Sequence, residues 1–376
     1  MTPSRTVLVV GGGAAGNAVT ILLRRAGHAV DLIEAKDDWN ATAGSGITLQ
    51  GNALRVLREL GVLEQVEASG SGFGSVGIVA PDGTVLHAQD DLRTGGDDLP
   101  ATVGMQRPRL QRILGEAVRA SGASVRLGTT AEILGQDADG VCVRLSDGSE
   151  GRYDLVIAAD GLGSATRAAI GITVEPEPTG MAIWRVAAPR PAGVTRAEVA
   201  YGGPAYIAGY CPTSATTLYA FVVEASRDRA SIPRASYADE MRRLASAYGG
   251  RWPEITEHIT DPAKVNYTWF DRMLVEGSWH RGRVVLVGDA AHCCPPTLAQ
   301  GAALSLEDAW VLAQMLTGSD AWDDALFQAY YERRIARVRP VVEASVQIGQ
   351  WQLDGVRDAD VPGLMARTMT MLRELP

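Results

Sequence analysis

Two textures of apolar and polar positions alternate along this chain. The first is a set of short, uncharged runs rich in β-branched residues, each broken by glycine. Thr6–Val10 is the earliest and predicts a strand buried on both faces of a parallel sheet. Gly11–Gly13 ends it, Ala14–Ala26 predicts a helix with a small-residue start stopped by Gly27, and Ala29–Glu34 predicts a second strand, giving a βαβ opening. Asn52–Leu60 is predicted helical, with Asn52 as N-cap and Gly61 as the stop. Arg109–Ala120 is a further helix, started by Pro108. Asp139-Gly140 and Asp147-Gly148 mark hairpin turns, and Leu155–Ala159 is another buried strand ending at Asp160-Gly161.

The second texture runs from about Met181 to Val223. Ala197–Tyr201, Tyr206–Tyr210 and Thr217–Val223 are aromatic, β-like and separated by Gly, Pro and Ser/Thr, which predicts an antiparallel sheet. Helices follow at Tyr237–Ala247 and Pro253–His258. Arg283–Val287 returns to the buried-strand type and ends at Gly288-Asp289, and long helices run from Ala302 to Leu316 and from Ala321 into the 340s. The predicted fold class is α/β: a nucleotide-binding domain assembled from separated segments, an inserted antiparallel sheet, and C-terminal helices.

Composition narrows the functional classes. With 376 residues, 46% hydrophobic and 21% charged, the chain can bury a sizeable core. A net charge of −9 argues against nucleic acid or an anionic membrane as partner, and no apolar run is long enough to span a bilayer. Cys142, Cys211, Cys293 and Cys294 form no C-x-x-C pair and no histidines stand at ligand spacing, so no metal site is expected. Reduced thiols and the short apolar start at Thr6 place the expectation in the cytoplasm.

Three constellations carry chemistry. Gly11, Gly13 and Gly16 fit G-x-G-x-x-G between a strand and a helix, with Ala14 and Ala15 opening that helix. Such glycines let the backbone approach a pyrophosphate, and the helix N-terminus supplies unpaired N–H groups and partial positive charge. Glu34, followed by Ala35, ends the second strand, where a carboxylate accepts hydrogen bonds from an adenosine ribose. A free 2′-hydroxyl, as in FAD or NADH, suits Glu34; the unit alone does not separate FAD from NAD. Asp160-Gly161 and Gly288-Asp289 each cap a buried strand at the ligand-binding edge. After the second of these come Pro296, Gln300, Gly301 and Ala302, whose helix N-terminus suits a developing negative charge.

These motifs in this order resemble the class A flavoprotein monooxygenases, the para-hydroxybenzoate hydroxylase family, over roughly residues 5 to 345. Gly44-Ser45-Gly46-Ile47, Asn52, Arg107 with Leu110 and Leu114, and Trp184-Arg185 add to the likeness. The resemblance implies a GR2-type, Rossmann-like FAD-binding domain from residues 1–70, 101–175 and 271–345, a substrate-binding sheet domain from 71–100 and 176–270, and a helical tail at 346–376. It implies FAD as cofactor and NADH or NADPH as transient reductant. A small aromatic or heteroaromatic substrate would be hydroxylated with O2 through a flavin C4a-hydroperoxide, by a monomer or homodimer. Gly11, Gly13 and Gly16 would approach the pyrophosphate, Glu34 the ribose, Arg107 the phosphate–ribitol region, Asp160 the pyrophosphate and reductant, and Asp289 the ribityl chain or pyrophosphate. Pro296 and the loop to Gly301 would line the flavin ring. Two departures stand out: Ala41 where many members carry Arg, and Ala299 where many carry Gly.

For the substrate, the sheet offers Tyr201, Tyr206, Tyr210 and Tyr219, of which Tyr210 and Tyr219 are the expected contacts, led into by Arg185. Thr48 and Gln50 are further candidates for the ring pocket, while His292 is expected to be structural and Cys293-Cys294 apolar packing. Baeyer–Villiger, N-hydroxylation or dehydrogenation chemistry, and a non-catalytic FAD-containing aromatic-binding protein, stay open as alternatives. No W-x-W-x-I-P segment supports a halogenase.

Overall fold

The computed structural model describes residues 4–39 and 46–376. Ala41, Gly44 and Ser45 therefore lie outside the described residues. The fold is mixed α/β, as its alternating patterns predict. Its first layer is a six-stranded sheet in which Val284–Leu286, Leu155–Ala158, Thr6–Val10, Ala29–Glu34 and Ser124–Leu127 run parallel in that spatial order. His280–Arg281 adds an antiparallel edge.

Leu155–Ala158 and Val284–Leu286 are apolar at every position, and Thr6–Val10 at all but its first, because both faces are covered. Val7 and Val9 pack with Ala18, Ile21 and Leu312 of the helices on one face. Leu8, of opposite parity, packs with Val141, Val143 and Tyr153 of a three-stranded antiparallel sheet on the other. The predicted hairpins at Asp139-Gly140 and Asp147-Gly148 join the strands of that small sheet, Ala131–Gln136, Val141–Leu145 and Glu150–Tyr153.

The second large sheet has eight strands, and its middle is the antiparallel run of Glu177–Pro189, Thr217–Ala225, Ile207–Pro212 and Ala197–Tyr201. Ser75–Val79 and Val85–Asp90 extend one side; Asn266–Leu274 and then His292–Cys293 extend the other. One face buries Trp184, Tyr210 and Val222 against helices Tyr237–Ala245 and Trp252–Thr256. The opposite face carries Ile183, Arg185 and Tyr219 toward the first layer.

Three boundaries differ from expectation. Asn52 is not an N-cap: Gln50 is, the helix is Gly51–Glu59, and Asn52 points inward, 1% exposed. The second sheet continues through Leu274 and reaches Cys293, past residue 270. No break separates a tail at residue 346, because a single helix spans Asp324–Leu353. The last helix, Val361–Met371, folds back, and Arg337 and Arg55 hold the carbonyls of Met371, Leu372, Arg373 and Glu374. No helix among the described residues is long and apolar enough to cross a membrane.

Candidate active site

Parallel register sets three strand ends side by side. Val10 pairs with Ala158 and Ala158 with Leu286, so Gly11, Ala159 and Val287 leave the sheet together. The Thr6–Val10 strand lies between neighbours that continue in opposite directions, the switch point where open α/β sheets bind ligands. A cleft of about 780 Å3 opens there, between the first sheet and the inner face of the second.

The glycine loop is built by close approach. Gly11 has φ +104°, and a Cβ on it would lie 2.3 Å from the Ala159 carbonyl oxygen. A Cβ on Gly16 would lie 1.9 Å from the Gly11 oxygen. Gly13 is different: its φ is −78° and nothing lies within 4 Å of an added Cβ. Gly13 is also the N-cap of the Ala14–Arg25 helix, with no side-chain cap and no acid in the first turn. The open space and the uncapped N–H groups of Ala14 and Ala15 fit a pyrophosphate, and all three residues line the cleft.

Glu34 also lines the cleft, with Oε2 accepting from the Gly12 N–H at 2.8 Å and Oε1 from the Lys36 N–H at 3.0 Å. Its neighbour Ala35 does not line it. Three side chains that the motif reading missed fix the loop from outside. Asn17 Nδ2, Trp39 Nε1 and Gln111 Nε2 all donate to the Gly12 carbonyl, at 2.9, 2.8 and 2.7 Å. Trp39 and Gln111 are cleft walls as well. Their sequence signal is weak, since none belongs to a glycine motif.

The other two strand ends have divided roles. Gly161, with φ +81°, lines the cleft, but Asp160 does not. The Asp160 carboxylate accepts from Ser164 Oγ and the Thr166 N–H, so it shapes the turn rather than facing a ligand. Gly288, φ +60°, is buried under Ser305 and Ala15, while Asp289 projects into the cleft. The Asp289 side chain is exposed to the open cleft, and desolvation by the protein around it pushes its carboxyl up, partly offset by His292 and Arg107. Gly301 and Ala302 start the Gly301–Thr317 helix and line the cleft; Gln300 sits behind them, fully buried. Gln300 Oε1 accepts from Asn52 Nδ2 at 2.9 Å, and Gln50 pairs with Gln300 Nε2. Gln50 is thus a support for the loop and not a pocket residue. Ala299 adopts φ +53°, a left-handed position that costs a non-glycine residue about 1–2 kcal/mol.

His292 is structural, as expected: Nε2 meets Asp308 Oδ2 at 2.7 Å inside the core. Cys293 and Cys294 line the cleft as reduced thiols, both pushed up by burial, Cys294 to about 12.

The far end of the cleft is ring-like in its walls. Pro296, Ile183, Tyr219, Thr48 and Gly46 line it, and Tyr219 Cδ1 would lie 2.2 Å from a Cβ on Gly46. Two guanidiniums face this end. Arg107 stands at the start of its helix, and among the described residues no carboxylate forms an ion pair with it. Arg185 donates to Thr268 Oγ1 at 2.6 Å, and its Nε is buried without a partner. Burial, with Arg107 nearby, lowers Arg185 to about 10, so it stays cationic at neutral pH.

Tyr210 is a correction. It pairs with Ala220 while Cys211 pairs with Tyr219, so Tyr210 and Tyr219 point to opposite faces of the sheet. Tyr210 is 3% exposed, packs edge-on to Trp252, and its hydroxyl binds Glu198. Tyr210→Phe is therefore expected to leave substrate turnover within twofold and to cost about 1 kcal/mol in stability. Tyr219→Phe is expected to change turnover with a wild-type melting temperature. Paired steady-state and melting measurements on the two variants separate these outcomes.

Residues 4–345 match the family described as FAD binding domain. The chain is 31% identical over 356 residues to aurachin C monooxygenase/isomerase of Stigmatella aurantiaca, covering 94% of this chain and 91% of that one. It is 30% identical over 353 residues to 2-heptyl-3-hydroxy-4(1H)-quinolone synthase of Pseudomonas aeruginosa, covering 92% and 90%. The crystal structure of Klebsiella pneumoniae HpxO with FAD and uric acid superposes with TM-score 0.83 at 24% identity, over 99% of this chain and 94% of that one, a likeness of fold.

Proposed function

This chain belongs to the FAD binding domain family of class A flavoprotein monooxygenases, and from that premise we propose that it hydroxylates a small, ionisable aromatic or heteroaromatic ring, consuming O2 and NADH or NADPH. The observation that carries the reading is that one cleft joins a dinucleotide cradle to walls of Ile183, Tyr219 and Pro296 beside cationic Arg185, its Nε unpartnered. One relative is named for a quinolone, a fused heteroaromatic ring, and a ring of that class is the substrate favoured here.

Gly13, Ala14 and Ala15 would hold the pyrophosphate of FAD, Glu34 the adenosine ribose, and Asp289 the ribityl hydroxyls. Bound FAD supplies electron transfer from the nicotinamide and activation of O2 for transfer of one oxygen atom. The remaining work belongs to the protein. Arg185 donates to an oxygen on the ring and favours its anionic, electron-rich form. Arg107 adds positive charge to the same end of the cleft. Tyr219, pushed up to about 12 by burial, stays protonated and acts as a hydrogen-bond donor, not as a base. Pro296 and Ile183 confine the ring and exclude water.

The test is anaerobic flavin reduction by NADH and by NADPH, with and without phenols, hydroxypyridines and 4-hydroxyquinoline. One compound class should accelerate flavin bleaching many-fold, and Arg185→Gln should abolish most of that acceleration while retaining FAD. Rapid reduction with no compound present, or acceleration by none of them, counts against the reading.

A further inference from the structure

The last helix, Val361–Met371, lies past residue 345, where the family match ends, yet it reaches the back of the cleft. Met369 Sδ stands 4.0 Å from Nε2 of Gln300, the residue buried directly behind Gly301 and Ala302. Gln300 follows Ala299, whose φ of +53° is a strained position. Strain of that kind persists only where the surroundings over-determine it. What holds Gln300 is therefore part of how the loop at 296–301 keeps its shape.

Two hydrogen-bonded routes run from the C-terminal carbonyls toward Gln300, and both pass through Asn52. In the first, Arg337 Nη1 and Nη2 donate to the Met371 and Leu372 oxygens at 3.2 and 2.9 Å. The same guanidinium holds Glu307, from Nε at 2.8 Å and from Nη2 at 2.9 Å. Glu307 Oε1 accepts from Asn52 Nδ2 at 3.0 Å, and Asn52 Nδ2 also donates to Gln300 Oε1 at 2.9 Å. In the second, Arg55 donates to the Arg373 and Glu374 oxygens at 2.9 and 3.1 Å and to the Thr94 oxygen at 2.5 Å. Thr94 Oγ1 donates to Asn52 Oδ1 at 3.2 Å and accepts from the Asn52 N–H at 3.0 Å. Every side chain on both routes is buried, so a lost partner is not replaced by water without cost. The carbonyls at 371–374 are those that a helix leaves unpaired at its C-terminus, where cations are favoured.

We propose that residues 361–376 are a latch for the loop at 296–301, with Asn52 and Glu307 as positioning residues, so that seating of this segment and binding of FAD strengthen each other. The proposal rests on FAD occupying the cleft. Neither Asn52 nor Glu307 lines the cleft; they act through Gln300, which fixes where the Gly301–Thr317 helix begins. Release of the segment takes two of the four acceptors of Arg55 and leaves Arg337 with Glu307 alone. Buried guanidiniums left short of acceptors then pull on Glu307 and Thr94, the groups that hold Asn52. The coupling is reciprocal: the factor that seating adds to FAD affinity is the factor that FAD adds to seating.

The experiment is hydrogen exchange on the full chain with and without saturating FAD. Amides of the Val361–Met371 helix should slow at least about fivefold on FAD binding, while those of Tyr237–Ala245, on the side of the second sheet away from the cleft, should change by less than about twofold. Equal slowing of both helices is global stabilisation and overturns the latch; slowing of neither overturns it as well. Leu372→Asp puts a charge on the fully buried side chain that anchors the segment. It should raise exchange across Val361–Met371 and weaken FAD at least about fivefold in a titration. A released segment with wild-type FAD affinity overturns the proposal. Should Leu372→Asp not fold, the wild-type exchange comparison decides alone. A wild-type chain that binds no FAD overturns the cofactor reading, and the latch with it, before either limb is measured.

Discussion

Gly13→Ala is expected to give a protein that folds as well as wild type yet retains flavin poorly, whereas Gly16→Ala is expected to lose stability in the fold itself. The two glycines are three residues apart in one motif, and the difference follows from what surrounds them. At Gly16 the new methyl would sit 1.9 Å from the Gly11 oxygen and 3.2 Å from Ala159 Cβ. Neither atom can yield without moving a strand end, so the helix must part from the turn. Overpacking of this kind costs about 1–3 kcal/mol. At Gly13 the backbone is ordinary, φ −78°, and the methyl meets no protein atom within 4 Å. It enters the space above the uncapped helix N-terminus, where a pyrophosphate would lie. Apoprotein melting temperature and FAD titration read the two effects separately. The expected result for Gly13→Ala is a melting temperature within about 2 °C of wild type and FAD affinity at least tenfold weaker. Full FAD affinity in Gly13→Ala would remove the pyrophosphate from that space.

Local features of this kind were legible in the sequence because they depend on neighbours in the chain. A strand ending in glycine, with a helix directly behind it, reports its own geometry. The uniformly apolar Leu155–Ala158 and Val284–Leu286 likewise report burial on both faces. What failed was parity across a turn. Tyr210 and Tyr219 looked equivalent, but facing residues in their hairpin are fixed by where the turn centres. Thr213 pairs with Thr217 across Ala215, so residues whose numbers sum to 430 face each other: 210 with 220, 211 with 219. A turn one residue longer or shorter, with its centre half a residue away, would have put Tyr210 and Tyr219 on the same face. Asn52 failed for another reason. Its type suits a cap, but partners far along the chain, Thr94, Gln300 and Glu307, draw it inside.

The support beneath the Gly288-Asp289 loop was also unread, although it left a trace. Gly301–Thr317 is apolar on nearly every side except for adjacent acids, Glu307 and Asp308. Two acids on a helix with no polar face must be buried and must find cations. They find Arg334 and Arg337 on the Asp324–Leu353 helix, at 3.1 Å and 2.8 Å for Glu307 and 2.6 Å for Asp308. The partners lie 26 to 30 residues away, so spacing within one helix could not reveal them.

Asp308→Ala is therefore expected to be among the most damaging single changes in the chain. Asp308 is fully buried and serves three groups: Arg334 Nε at 2.6 Å, His292 Nε2 at 2.7 Å and the Gly288 N–H at 2.9 Å. Removing it leaves the buried Arg334 guanidinium short of a counter-charge, a loss of about 3–5 kcal/mol. A domain's whole stability is about 5–15 kcal/mol. The loss also frees Gly288, and with it Asp289, so flavin retention should fall along with melting temperature. Asp308→Asn keeps an acceptor for Gly288 but not the charge, and should fall between. The acid limb gives a second check. Burial raises the Asp308 carboxyl, but His292 and Arg334 together outweigh it and hold it below the ordinary value of 3.8. A depressed folded-state value means that its stabilisation is present above that ordinary value and is lost as pH falls through the lower, folded one. Wild type should thus lose stability below about pH 4, and the Asp308→Ala curve, already lowered, should be flatter there. Chemical denaturation of the apoprotein between pH 3 and 7, with FAD retention measured at neutral pH, checks both limbs; a variant within about 1 kcal/mol of wild type would show that Glu307 alone satisfies the arginines.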